Sequence, residues 1–158
     1  MTPGGAIEGI AIAKAMRENL WLYPCVEIFH IVGFTMLVGS IVMFDLRVLG
    51  LSRRISVRAL ARHLLPWSLA ALGLIVPTGL MMFSAHAGDF LTNPAFTLKM
   101  GLLLAAGINA AIFHTGPYTT VARWDTETTA PLAARFSVAL SIALWIGVIS
   151  CGRLLAYL

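Results

Sequence analysis

Apolar residues run along this chain in four long blocks, and the polar residues gather in the short stretches between them. About 20 apolar residues in a helix cross the hydrocarbon of a bilayer. The blocks at roughly 20–46, 59–84, 95–121 and 131–157 all reach that length. The third follows Thr92-Asn93-Pro94 and the fourth opens on Pro131, and a proline in the first turn is a common helix start. Short connections favour antiparallel neighbours, so the pattern predicts an all-α, integral membrane four-helix bundle with up-down-up-down topology. Ahead of it, residues 5–18 interleave Ile7, Ile10, Ile12 and Met16 with Glu8, Lys14, Arg17 and Glu18. That is the pattern of a short amphipathic helix lying at the interface.

Composition removes the soluble alternative. Hydrophobic residues make up 59% of the 158 residues and charged ones 11%, against about 45–50% and 25% in soluble domains. The chain reads as one membrane domain, 1–158, in contact with the lipid bilayer. Residues 1–19 lack the basic start and continuous apolar core of a secretory signal. The net charge of +4 reflects topology rather than nucleic-acid binding. Arg47, Arg53, Arg54, Arg58 and Arg62 follow the first span, opposed by Asp45, and Arg123 and Arg135 flank the next loop on that side. Lys14, Arg17, Lys99 and Arg153 lie on the other. The bias places the arginine-rich loop 47–62 in the cytoplasm and both termini outside.

Candidate chemistry lies in the polar groups that interrupt the apolar blocks, because intramembrane ionisable groups tend to mark function. Glu27 and His30 sit one turn apart in the first span. Counting depth brings Glu27 to the level of Lys99 and Arg153, a charge cluster that serves either as helix glue or as a site. It leaves His30 about 12 Å in from the surface. His63 and His114 approach from the arginine side at matching depth, the placement two axial ligands of one haem iron would need. Ala110, Ala111 and Gly107 leave room beside His114. Met36, Met43, Met81, Met82, Cys25 and Cys151 are soft donors that suit copper, though scattered methionines are also ordinary filling. Two cysteines without a C-x-x-C give neither a disulfide framework nor a zinc site.

Four stretches carry a resemblance: EIFHIVGFTMLVGSIVMFDLRVLGL (27–51), LLPWS (64–68), NPAFTLKMGLLLAAGINAAIFH (93–114) and SIALWIGVISCGRLLAY (141–157). They resemble a family of small bacterial four-helix membrane proteins of unknown function. That family is similar to the membrane domain of CopD-like copper-resistance proteins and, more loosely, to four-helix b-type cytochromes. The resemblance singles out His30, Asp45, Arg47, Lys99, His114 and Arg153, and it implies the bacterial inner membrane. The expected function is b-type haem binding for transmembrane or quinone-linked electron transfer. His114, with His63 or His30 opposite, would be the axial ligands; Lys99 and Arg153 would neutralise propionates if the haem opens outward, and Arg58 or Arg62 if it opens inward. Two other expectations stand beside it: a non-enzymatic subunit of a larger complex or a homo-oligomer, and a CopD-like copper or small-solute permease.

Overall fold

The computed structural model describes residues 3–155 and 157. Every regular element among them is helical: α1 (Pro3–Glu8), α2 (Ala11–Glu18), α3 (Leu22–Leu49), α4 (Val57–Ala85), α5 (Ala87–Thr92), α6 (Pro94–Thr115), a 3-10 helix (Pro117–Arg123) and α7 (Leu132–Leu154). The helices α3, α4, α6 and α7 are long and apolar enough to cross a membrane. Their most apolar stretches bury only 17–28% of their residues inside the protein. A surface that apolar is at rest only against lipid. The chain is a multi-pass helical membrane bundle.

The third span ends earlier than its composition suggests, at Thr115 rather than 121. Gly116 and Pro117 interrupt the α-helix, because proline has no N–H to donate and disfavours a helical residue before it. The chain turns into the 3-10 helix, whose Val121 packs with Trp124, Val48, Val57, Phe113 and Val138 in a cluster that closes the arginine end.

Packing order differs from a closed square. Helix α3 lies between α4 and α7, and α7 lies between α3 and α6. Consecutive spans α4 and α6 have no Cα atoms within 8 Å of each other, so the expectation that neighbours in sequence are neighbours in space fails here. Glycines explain the contacts that do form. A Cβ at Gly33 would meet Ile75 Cγ1 at 3.0 Å and the Ala71 carbonyl at 3.4 Å, so α3 and α4 approach closely there. Gly147 does the same for α7 against Leu102 of α6, at 3.0 Å. Lipid offers no hydrophobic drive for helix association, so such close backbone approach supplies the dispersion contact. In the middle of the bundle Phe34, Ile75, Leu102 and Leu103, one or more from α3, α4 and α6, pack around Leu37, Ala71, Ala106 and Trp145.

The two loops at the arginine end are clasped together by Arg47. Its side chain is 4% exposed. Nε donates to the Ile55 carbonyl at 2.5 Å, and the terminal nitrogen to the carbonyls of Arg53 and Asp125, each at 2.9 Å. Gly50, at φ +120°, makes the turn that carries the loop back beneath it, a conformation that costs a side-chain-bearing residue more. Asp125 also caps α4: its carboxylate accepts from Ser56 Oγ at 3.0 and 2.9 Å and from the Arg58 N–H at 2.8 Å. Sequence reading counted Arg47 as a topological charge; it is a structural clasp.

At the opposite end the amphipathic segment 5–18 forms parts of two helices, broken near Gly9 and Ile10, and docks on protein. Ala13 and Met16 are buried against the end of α4 and the start of α3. Arg17 donates to the carbonyls of Ala85 (2.9 Å) and Glu8 (2.7 Å), and Glu8 Oε1 accepts from the Gly88 N–H at 2.7 Å. Its outer face still presents Ile10 and Ile12.

Arg47→Ala leaves three loop carbonyls without their charged donor. It should lower stability in mild detergent by about 3 kcal/mol, read as a drop in thermal midpoint, with Arg54→Ala as an exposed control that shifts it little.

Candidate intramembrane site

His30 is presented by the third turn of α3 towards α4. Its Nδ1 lies 3.0 Å from Thr78 Oγ1. The Thr78 hydroxyl donates its one proton to the carbonyls of Leu74 (2.6 Å) and Ile75 (3.1 Å), so it can only accept from the imidazole. Neutral His30 therefore carries its proton on Nδ1, and Nε2 keeps its lone pair. Gly79 makes room: a Cβ there would come 3.1 Å from His30 Cε1. Lys99 and Glu27 are the charged groups whose fields reach the ring.

Lys99 lies on α6 against α7. Its ammonium sits 3.8 Å from where a Cβ of Gly152 would be, close to the buried Cys151. It is half-buried and, among the described residues, makes no hydrogen bond or ion pair. The site at this end is thus an imidazole with a free Nε2 and a half-buried ammonium.

The other two members of the predicted cluster stand apart from it. Glu27 is exposed and has no ion-pair partner within 4.0 Å among the described residues. Arg153 is exposed and turns one helical turn onward, donating to the Tyr157 hydroxyl at 2.6 Å with its guanidinium 4.9 Å from that ring. A Glu27–Arg153 pair joining two helices is not formed. His86, at the end of α4, faces Tyr23 edge-on and lies 3.9 Å from Asp89.

His63 and His114 are both exposed near the arginine end. They lie on α4 and α6, whose backbones do not touch, so the premise that set them opposite each other does not hold. His114 belongs to the last turn of α6, and its Nδ1 donates to the Ala110 carbonyl at 2.8 Å. His30 stands near the start of α3 and His114 in the last turn of α6, towards opposite ends of the bundle. They do not face a common point. Among the described residues no three His, Cys, Asp or Glu side chains converge on a metal-sized site. The methionines are dispersed: Met36 packs in the middle cluster, Met81 and Met82 at the α2 end, and Met43 is exposed.

Asp45 is the residue that sequence reading undervalued, having entered only as an offset to the loop arginines and through the resemblance. It is 4% exposed inside the bundle. The Ser141 hydroxyl of α7 is its polar neighbour, and Oδ2 has no hydrogen-bond partner. One turn from Ser141, Ser137 exchanges hydrogen bonds with Asn109 of α6: its hydroxyl donates at 2.9 Å and its carbonyl accepts at 3.0 Å. A polar seam thus crosses α3, α7 and α6 in the arginine half. The signal was present as a lone carboxylate four residues before the helix end, but burial depended on α7.

A lipid-embedded all-α bundle with ionisable groups on its inner helices defines a polytopic membrane protein with an internal polar site. Residues 22–158 match the family described as "Family of unknown function (DUF6644)", and the chain belongs to it. The match takes in all four spans and leaves α1 and α2 outside. No curated protein and no solved structure matches the chain.

A buried carboxyl with an unmet oxygen is costly in low dielectric. Asp45→Asn, of equal shape and without charge, should be neutral or raise stability by about 1 kcal/mol. A fall of that size in the thermal midpoint measurement would instead reveal a partner for the carboxylate.

Proposed function

We propose that the chain is an integral membrane protein that binds a b-type haem and passes electrons to or from quinone or a partner subunit. One observation carries the reading. His30 has its Nδ1–H held by Thr78, which leaves Nε2 as the coordinating atom, and the field of an ammonium, Lys99, that has no counter-ion among the described residues reaches the ring. Metal-bound histidines are commonly oriented by such a hydrogen bond through the other ring nitrogen. A half-buried ammonium suits the carboxylate of a propionate. The residues therefore fit the group at this end of the bundle. Haem, when bound, supplies reversible one-electron chemistry whose potential the protein tunes through ligand, burial and nearby charge. Thr78 orients the ligand, Gly79 leaves space for it, and Lys99 offsets negative charge.

His30 rather than His114 is the ligand in this reading. The likeness to CopD-like proteins and four-helix cytochromes belongs to the same proposal, as do the bacterial inner membrane and an arginine loop facing the cytoplasm. A second reading, a non-enzymatic subunit, draws on α6: Gly107, with nothing within 4 Å of a Cβ position, and the exposed Ala110 and Ala111 one turn on share a face, a smooth surface on which another helix or a second copy would pack.

Reduced protein purified in detergent from haem-replete cells should show a sharp α-band. His30→Ala should abolish it, Thr78→Val should weaken haem binding roughly tenfold, and His114→Ala should leave it. A reduced spectrum without the band rejects haem binding. Orientation is checked separately: in a Cys25→Ser/Cys151→Ser background, Arg54→Cys should react with an impermeant maleimide in inverted membrane vesicles and not in intact spheroplasts.

A further inference from the structure

At the arginine end, the separation of α4 and α6 leaves a cavity of about 350 Å³ lined by Arg58, Arg62, His114, Tyr118, Thr119 and Val121. Its walls are the first turns of α4, the last turn of α6 and the 3-10 helix, so it opens where the hydrocarbon meets the headgroups. We infer that this cavity is a binding site for the phosphate of an anionic phospholipid in the leaflet on the arginine side.

The donor set argues for a phosphate. The side chains of Arg58 and Arg62 lie one helical turn apart on α4 and make no hydrogen bond or ion pair among the described residues; Arg58 bonds only through its backbone N–H. Their guanidiniums are forks suited to phosphate oxygens. His114 also faces the cavity, but with its Nδ1–H committed to the Ala110 carbonyl the Nε2 of the neutral ring is an acceptor, so the donors to a phosphate are the two guanidiniums and the Tyr118 hydroxyl. The Tyr118 hydroxyl has no hydrogen-bond partner among the described residues either, its ring being held by Phe44, Phe113 and His114. No carboxylate lines the cavity. Asp125, the acidic group that caps α4, is occupied by Ser56 and the Arg58 N–H.

Position argues for a lipid as the source. Away from the headgroup level, the face of α4 that carries Arg58 and Arg62 continues with Leu65 and Leu69, 51% and 59% exposed, and the face of α6 that carries His114 continues with the exposed Ala111, Ala110 and Gly107. An acyl chain following the headgroup would lie along these residues. Basic pockets between membrane helices are a recurrent form of lipid headgroup site.

The full chain, in nanodiscs of phosphatidylcholine doped with phosphatidylglycerol, would be released into the gas phase and its retained lipids counted by mass. The expected result is one retained phosphatidylglycerol, no preference for phosphatidylcholine, and a loss of roughly 30-fold in apparent affinity for Arg58→Gln/Arg62→Gln. Arg54→Gln/Arg123→Gln, which removes the same charge from the same end, should retain the lipid. Equal loss in both double variants would mean diffuse attraction and would overturn the site. Displacement of the lipid by millimolar inorganic phosphate would mark a free-phosphate site and overturn the lipid assignment. Since Arg58 and Arg62 are exposed, their replacement leaves the fold intact; Arg58→Lys/Arg62→Lys should keep part of the affinity.

Discussion

The geometry of this bundle depends on one buried guanidinium. Arg47, in the last turn of α3, draws the Ile55 and Arg53 carbonyls of one connection and the Asp125 carbonyl of another onto a single planar donor. Desolvating a charge is expensive, and three charge-assisted hydrogen bonds offset that cost. Asp125 extends the clasp by holding the first turn of α4 through Ser56 and the Arg58 N–H. The helix pairs α3–α4 and α6–α7 are therefore tied at one end through their loops, although α4 and α6 never meet.

As the inner helices, α3 and α7 carry the buried polar residues of the arginine half, although Glu27 on α3 and Arg153 on α7, towards the other end, are exposed. Asp45 and Arg47 on α3, and Ser137 and Cys151 on α7, are buried. His63 on α4 and His114 on α6 are exposed. Groups on the outer helices become internal only where a side chain reaches inward, as Thr78 does to His30 and Lys99 does to the face of α7. The two polar regions have different chemistry. The end near α2 offers an imidazole Nε2 and an ammonium, whereas the arginine half holds an uncompensated carboxyl. The cavity between α4 and α6 follows from the same arrangement, being the space two unjoined helices leave beneath their arginines.

Much of the fold was legible in the residues. Four apolar blocks of sufficient length, set off by Asn93-Pro94 and Pro131, lead to four membrane helices because the bilayer leaves few other backbone solutions. The site was legible only in kind. His30 stands out as an imidazole in an apolar run, and its depth followed from counting 1.5 Å per residue. Its partner did not: Thr78 is an unremarkable hydroxyl after Pro77 until α3 and α4 are in register at Gly33. The depth count likewise matched His63 with His114 and Glu27 with Arg153, since it measures height along the membrane normal and is blind to position around it.

The sequence by itself determined that this is a multi-pass helical protein, roughly where each span starts, and which polar groups lie within the membrane. Those follow from hydrophobic length and the cost of placing charge in hydrocarbon, which are properties of single segments. Only the tertiary structure decided which helices touch, that Arg47 is a clasp, that Asp45 is buried without a full complement of partners, and that Glu27 and Arg153 stay apart. Lateral packing in lipid rests on small differences in shape at a few glycines, with no gradient of hydrophobicity to announce them.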